Sequence, residues 1–175
     1  MPPLATTSTI KLLARYNETV NAAMNKTIAR LADQEWTGNL GGFHPSVKAL
    51  CAHLYVCDLN WMKRLGDVRP FRTLSHRCFA AHHPWDAVLI EDVDDYLTRR
   101  RELDALLTEF VGEFEEEDLD ARLRYIDWRG TLQDRDVAGL LLHLFHHQTH
   151  HRGMISVYLE ILGHDNEFSS LVPYV

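Results

Sequence analysis

Four long segments of this sequence repeat apolar residues at the spacing of an α-helix, and this pattern limits the folds open to the chain. They span about 7–31, 45–65, 90–114 and 135–162. Apolar side chains recur in them at intervals of three, four or seven residues, so each helix presents one apolar face. Helices of this kind are stable when those faces pack together. We therefore predict an all-α protein, a four-helix bundle.

The segments between the helices differ in character. The stretch between the second and third helices is long, contains Pro70 and Pro84, and is predicted to be an ordered crossing loop. Between the third and fourth helices, the sequence LRYIDWRGTLQD alternates apolar and polar residues around Arg129 and Gly130, which predicts a short β-hairpin. No internal repeat or linker is visible, so residues 1–175 are expected to form a single domain.

Composition narrows the range of partners. The chain has 18 Lys and Arg against 25 Asp and Glu, a formal charge of -7, and its basic residues are scattered apart from the run Arg99, Arg100 and Arg101, which is expected on a solvated helix face. Nucleic-acid binding requires clustered cations, so we expect no such partner. No stretch approaches the roughly 18 apolar residues of a membrane span, and we expect a cytoplasmic protein. Three cysteines without C-x-x-C spacing indicate neither a disulfide framework nor a thiolate zinc site.

The fourth segment holds five histidines within nine residues. A helix turns by about 100° per residue, and the apolar residues of this segment cluster on one side. His147 and His151 fall on that side, one turn apart. His146 and His150 turn away from it, and His143 lies at its boundary. We therefore expect His147 and His151 to point into the bundle.

Two inward histidines at this spacing can bind one metal ion, because both imidazoles can reach an ion about 2.0–2.1 Å away. A third ligand must come from another segment, and His53, the only histidine of the second segment, is the candidate. Three neutral histidines leave a coordination position open, as in catalytic metal sites. The alternative is that the histidines are separately bonded at the core edge or form a pH-sensitive surface.

Other catalytic motifs are missing from the sequence. No Glu has a His three residues later, as ferritin-like di-iron bundles require. H-E-x-x-H, G-x-S-x-G and a phosphate-binding glycine loop are also missing.

The stretch HLFHHQTHHRGMISVYLEILG resembles the C-terminal helix motif of the DinB family, in which a histidine, three residues and then His-Arg-Gly-Gln mark the metal site. The likeness extends to LLARYNETVNAAM in the first helix, to ALCAHLYVCDLNWMKRL in the second, and to the hairpin. One departure is Met154, which stands where the motif usually has Gln. Because of this departure, the substrates of relatives are not assumed to be substrates of this protein.

The resemblance implies a four-helix bundle, commonly a homodimer, with one divalent ion on His53, His147 and His151. Nickel or zinc is the expected ion, and iron, manganese and copper also suit such ligands. Some relatives are thiol-dependent enzymes that transfer bacillithiol or mycothiol or isomerise maleylpyruvate. Many members have no assigned activity.

Two functions follow from these observations. The first is a metal-dependent enzyme, either a thiol S-transferase or a hydrolase. Its substrate is a small molecule, and low-molecular-weight thiols are candidates for that substrate. Asp58 and Tyr16 are candidates for proton handling in it, with surface or packing roles as the alternative. The second is a non-catalytic, metal-stabilised stress-response or dimer scaffold, in which His143 or a hairpin residue completes the coordination.

Overall fold

The computed structural model describes residues 4–168 and 170–175. Four long helices dominate it: α1 (Thr7–Ile28), α3 (Val47–Leu65), α4 (Val93–Gly112) and α6 (Val137–Ile161). Two short helices, α2 (Asp33–Thr37) and α5 (Glu116–Leu119), lie in the connections. Helix α1 packs against α4 and α3 packs against α6, while contacts between α3 and α4 and between α1 and α6 close the bundle.

Capping side chains determine where the long helices begin. Thr6, Ser46, Asp92 and Asp136 each accept a hydrogen bond from the backbone N–H three residues later. Such caps satisfy one of the free N–H groups of the first turn. The starts predicted near 45, 90 and 135 are therefore two or three residues early, because apolar spacing does not reveal a cap. The predicted end of the second helix, at residue 65, is correct, and those of the other three helices lie one to three residues too late.

The predicted hairpin is present next to α6. Strands β1 (Arg122–Ile126) and β2 (Leu132–Asp136) pair antiparallel, with Arg122 opposite Asp136 and Tyr125 opposite Gln133. The turn between them includes Gly130, whose φ of 78° is readily adopted by glycine. The predicted crossing loop contains two short 3₁₀ turns, Thr73–Ser75 and Arg77–Phe79. Every helix in the described residues is too short or too polar to span a bilayer.

A layer of polar side chains crosses the otherwise apolar core, and every long helix contributes to it. Its seven members are nearly or completely buried, and we call them the polar layer: Asn17, Asn21, Asp58, Arg100, Asp104, Gln148 and Arg152. Arg100 donates to Asp58 over 2.6 Å and to Asp104 over 2.7 Å. Asn21 donates to Asp104 over 2.8 Å. Buried charges require such partners, and the layer thereby links the four helices.

Candidate metal centre

Helix α6 presents its histidines in two directions. His151 is buried and His147 is half-buried, whereas His146 and His150 are exposed. This difference agrees with the helical phase of the sequence. His143, assigned to the boundary, is exposed.

His53 on α3 faces these two inward histidines. Its ring centroid lies 5.2 Å from that of His147 and 4.6 Å from that of His151, and the latter two rings are 4.4 Å apart. The Nε2 atoms of His53 and His147 are separated by 3.3 Å. Two nitrogens bound to one tetrahedral ion at about 2.0–2.1 Å would be about 3.3–3.4 Å apart. The spacing of this pair is therefore that of two ligands sharing an ion. We call His53, His147 and His151 the histidine cluster.

Burial keeps these imidazoles neutral. Together with a smaller contribution from the neighbouring histidines, it lowers the pKa of His53 and of His147 to about 4 and that of His151 to about 3. A second positive charge in such a cluster would be neither solvated nor paired, so the uncharged ring is favoured. Neutral imidazole is also the form that binds metal ions.

The donor set fits a first-row divalent ion. Among the described residues, the Nδ1 atoms of His147 and His151 are buried and have no hydrogen-bond partner. Buried nitrogens of folded proteins are normally satisfied, so such unpaired atoms call for further partners. For His147 this partner is not an ion shared with His53, because a ring that binds that ion through Nε2 directs Nδ1 away from it. Neutral imidazoles meet the requirement of zinc, nickel, copper or iron for nitrogen ligands. In the described residues, the three-residue groups with ligand atoms within 4.8 Å of one another contain His53 with either His147 or His151, and no such group contains all three.

Two further donors lie beside the cluster, and the sequence analysis did not identify either of them. Ligand atoms of His44, His53 and His151 all lie within 4.8 Å of one another, as do those of His53, Cys57 and His147. Both sets include His53. The signal for Cys57 was its position four residues after His53, the same spacing that singled out His147 and His151. Cys57 was considered only as one of three cysteines without C-x-x-C spacing.

His44 lies in the loop between α2 and α3, where no helical periodicity indicates its direction. Its ring centroid is 4.3 Å from that of His53 and 5.6 Å from that of His151. The Tyr158 hydroxyl donates to the His44 carbonyl over 2.7 Å, which ties this loop to α6. A side chain at Gly42 would collide with that hydroxyl, since an added Cβ would lie 2.1 Å from it. The approach of the loop therefore requires glycine there.

Cys57 is a buried thiol at the edge of the cluster. Its Sγ lies 3.7 Å from Nδ1 of His53, and its side chain is 4% exposed. Burial, with a smaller contribution from Asp58, raises the pKa of Cys57 to about 12. The group is therefore a neutral thiol until a metal ion displaces its proton.

The histidine cluster borders open space. A cavity of about 560 Å³ is lined by twelve residues from α3, α6, the hairpin and two loops: Phe43, His53, Cys57, Trp61, Arg64, Trp85, Tyr125, Asp127, Trp128, Gln133, His143 and His147. A second cavity of about 760 Å³ reaches His44 and His53 from the loop side. A small molecule could therefore approach His53 and His147 directly.

The remaining candidates lie elsewhere. Asp58 is fully buried in the polar layer and bonds to Arg100 and Gln148. The hydroxyl of Tyr16 lies 3.4 Å from the carbonyl of Phe168. Arg152 donates to Asn17 and to Asn21 and braces α6 against α1.

His143 and Met154, the other two residues singled out on α6, face different surroundings. The ring of His143 lies 6.1 Å from that of His147 and 5.1 Å from Trp61, on the wall of the 560 Å³ cavity. Met154, at the departure from the motif, packs at the margin of the core. His143 is thus the candidate closest to the cluster after its three members, His44 and Cys57.

Comparison with known proteins identifies relatives. The model of the DinB family matches residues 5–171. The chain is 25% identical over 155 residues to the protein DinB of Bacillus subtilis strain 168, across 87% of this chain and 85% of that protein. It also resembles the crystal structure of a DinB-like protein from Bacillus subtilis, with a TM-score of 0.63 at 14% identity, across 88% of this chain and 94% of that one. This structural likeness confirms the predicted all-α fold with its small hairpin.

Proposed function

The chain belongs to the DinB family, as its resemblance predicted, and from this premise we propose that it is a metal-dependent enzyme whose divalent ion is bound by His53, His147 and His151. The observation that carries the proposal is the 3.3 Å between the Nε2 atoms of His53 and His147 at the wall of a cavity. Three neutral imidazoles on two facing helices supply the ligands, and the cavity supplies access for a substrate.

The chemistry follows from such a site. When bound, a divalent ion lowers the pKa of a coordinated water or thiol toward neutrality. The aromatic walls of the cavity limit water around the reacting groups, and His143 on the same wall is placed to exchange a proton with a ligand. The proposed reactions are thiol S-transfer or hydrolysis, with nickel or zinc as the preferred ion.

Other predictions accompany this proposal. The substrate is a small molecule, with low-molecular-weight thiols as candidates. The family resemblance implies a homodimer, and the sequence leads us to expect a cytoplasmic location.

The metal assignment is tested by metal content after purification and reconstitution. We expect about one first-row divalent ion per chain in the wild-type protein, and none in His147→Ala or His151→Ala. His146→Ala is the matched control, because this neighbouring histidine is exposed and lies on another face of α6. Equal metal content in all three variants would contradict the assignment.

Catalysis requires its own test. Metal-loaded and metal-stripped protein would be incubated with low-molecular-weight thiols and simple electrophiles, and with simple ester and amide substrates. We expect turnover that requires the ion and is lost in His147→Ala. Metal binding without metal-dependent turnover on any of these substrates would favour a binding role.

A second candidate function is supported by His44. If its imidazole joins the histidine cluster as a fourth ligand, the coordination is closed, as in structural sites, and the protein is a metal-stabilised scaffold. Cobalt substitution separates the two functions. The enzyme proposal expects the visible spectrum of the cobalt protein to change when a thiol is added and to be unaffected by His44→Ala. The scaffold proposal expects the spectrum to be unaffected by the thiol and to change in His44→Ala.

A further inference from the structure

The cavity beside the histidine cluster also contains a cation that the proposed metal chemistry does not use. Arg64, near the end of α3, lines the same 560 Å³ space as His53 and His147. Its side chain is half-buried. A guanidinium group remains charged in proteins, so Arg64 places a positive charge in a largely aromatic wall that also holds the carboxylate of Asp127.

Three aromatic rings hold the Arg64 guanidinium. Its Cζ lies 4.9 Å from the centroid of Trp61, 5.0 Å from Trp85 and 4.2 Å from Tyr125. Contacts of this kind use the faces of the rings and leave the in-plane N–H groups of the guanidinium free to donate. One such group, on Nη2, donates to the carbonyl of Ile126 over 3.2 Å.

Burial lowers the pKa of Arg64, and the nearby carboxylates of Asp127 and Asp67 partly offset this effect without forming an ion pair with it. Within the part of the chain that is described, no carboxylate forms a salt bridge with it. Asp127 is the one carboxylate in the cavity wall. Its oxygens already accept from the backbone N–H groups of Arg129 and Thr131 and from the Gln133 amide. Asp127 is thus committed to the hairpin turn.

These observations favour one class of ligand. A cationic ligand is disfavoured, because Arg64 already fills the aromatic cage. A flat apolar group can lie against the indoles that line the cavity, and an anionic group can pair with the free edge of the guanidinium. A single arginine matches a singly charged carboxylate better than a doubly charged phosphate.

We propose that this cavity binds a small aromatic or similarly flat carboxylate, with its carboxylate on Arg64 and its other end directed toward the histidine cluster. The inference rests on the proposed function only for the reaction at that other end. Pairing of a carboxylate with Arg64 requires no metal ion.

The probe is phenylacetate, titrated into the protein by calorimetry, with phenylacetamide and phenyltrimethylammonium as neutral and cationic analogues. We expect phenylacetate to bind at least about tenfold more tightly than either analogue, because a hydrogen bond to a charged group contributes about 1.5–3 kcal/mol. Arg64→Gln should remove this preference. Arg124→Gln, an equal loss of charge on β1 at a side chain that is 76% exposed, should leave affinity within about twofold.

Several outcomes would overturn the inference. Equal affinity of the wild-type protein for phenylacetate and phenylacetamide would overturn it, and this measurement requires no variant. An equal loss in Arg64→Gln and Arg124→Gln would show an unspecific effect of charge. If Arg64→Gln fails to fold, Arg64→Lys retains the charge without the planar fork, and it must still prefer the carboxylate to the amide.

The test also separates this inference from the metal assignment. His147→Ala should lose the metal ion and still bind phenylacetate in preference to phenylacetamide, because Arg64 is unchanged. Loss of metal with a retained preference supports both proposals. Metal bound normally with no carboxylate preference would overturn the ligand assignment alone.

Discussion

Helix α6 carries two polar regions side by side, and they differ in how their side chains are bonded. Gln148 and Arg152 follow directly after His147 and His151 in the sequence, yet they belong to the polar layer. Every member of that layer bonds to another member. The histidine cluster instead borders a cavity, and both regions contain buried polar atoms without a partner in the described residues.

The difference separates two uses of buried polarity. In the polar layer, two arginines balance two aspartates in charge and hydrogen bonds inside the bundle join all seven side chains, while Asp58 Oδ1, Arg100 Nε and Gln148 Oε1 have no partner in the described residues. The histidine cluster holds neutral rings at the wall of a cavity, where an added group can reach them. We infer that the layer contributes to the fold and the cluster to binding.

The largest expected effect comes from breaking the polar layer. Arg100→Met would leave Asp58 and Asp104 as buried carboxylates without their main partner, at a cost of about 3–5 kcal/mol in the free energy of unfolding. The control is Arg101→Met, one residue along α4, where the side chain is exposed and the cost should stay within about 0.5 kcal/mol. Urea unfolding of both variants measures the difference.

That variant could fail to fold, so a second one accompanies it. Adding Asp58→Asn and Asp104→Asn to Arg100→Met removes the buried negative charges and should recover part of the lost stability. An equal loss in the free energy of unfolding for Arg100→Met and Arg101→Met would show that the polar layer does not stabilise the packing of the helices.

The next effect concerns the histidine cluster and should be independent of the layer. Zinc at a free concentration one hundred times its dissociation constant should raise the free energy of unfolding of the wild-type protein by about 2.7 kcal/mol, because the ion binds the folded chain. His147→Ala should lose this gain, and His146→Ala should keep it. Urea unfolding with zinc and with a chelator gives both values. A gain that survives in His147→Ala would place the ion elsewhere.

The sequence predicted the histidine cluster better than its surroundings for a physical reason. His147 and His151 lie on a long helix, where the turn per residue fixes the direction of a side chain, and His53 lies on another helix. His44 lies in a loop, whose path depends on Gly42 and on Tyr158 of α6, two positions far apart in the sequence. Local periodicity contains no information about such a contact.

The polar layer was missed for a related reason. Asp58 was considered by itself, and Arg100 was assigned to a solvated run of three arginines. The structure corrects the second assignment, because the side chain of Arg100 is 1% exposed. Charged residues are rarely buried unless paired, and the partners of Arg100 are on α3 and α4. Its pairing with Asp104 is local, whereas its pairing with Asp58 depends on how two helices pack. The hairpin, in contrast, was predicted from local sequence alone, because apolar and polar residues alternate on both sides of Gly130.

The smallest effect tests how firmly the His44 loop is held beside the cluster. Tyr158→Phe removes the hydroxyl that donates to the His44 carbonyl, and we expect a loss of about 0.5–1.5 kcal/mol in the free energy of unfolding. Tyr125→Phe is the matched control, because no hydrogen bond of the Tyr125 hydroxyl is found in the described residues. The loss in the free energy of unfolding should be smaller for Tyr125→Phe.

Hydrogen exchange at residues 40–44 should be faster in Tyr158→Phe only, since the hydrogen bond anchors that loop to α6. Unchanged exchange there would mean that other contacts hold His44 in place. Faster exchange with undiminished metal binding would mean that the histidine cluster is complete without the loop, in contrast to the polar layer, where each bonded partner is needed.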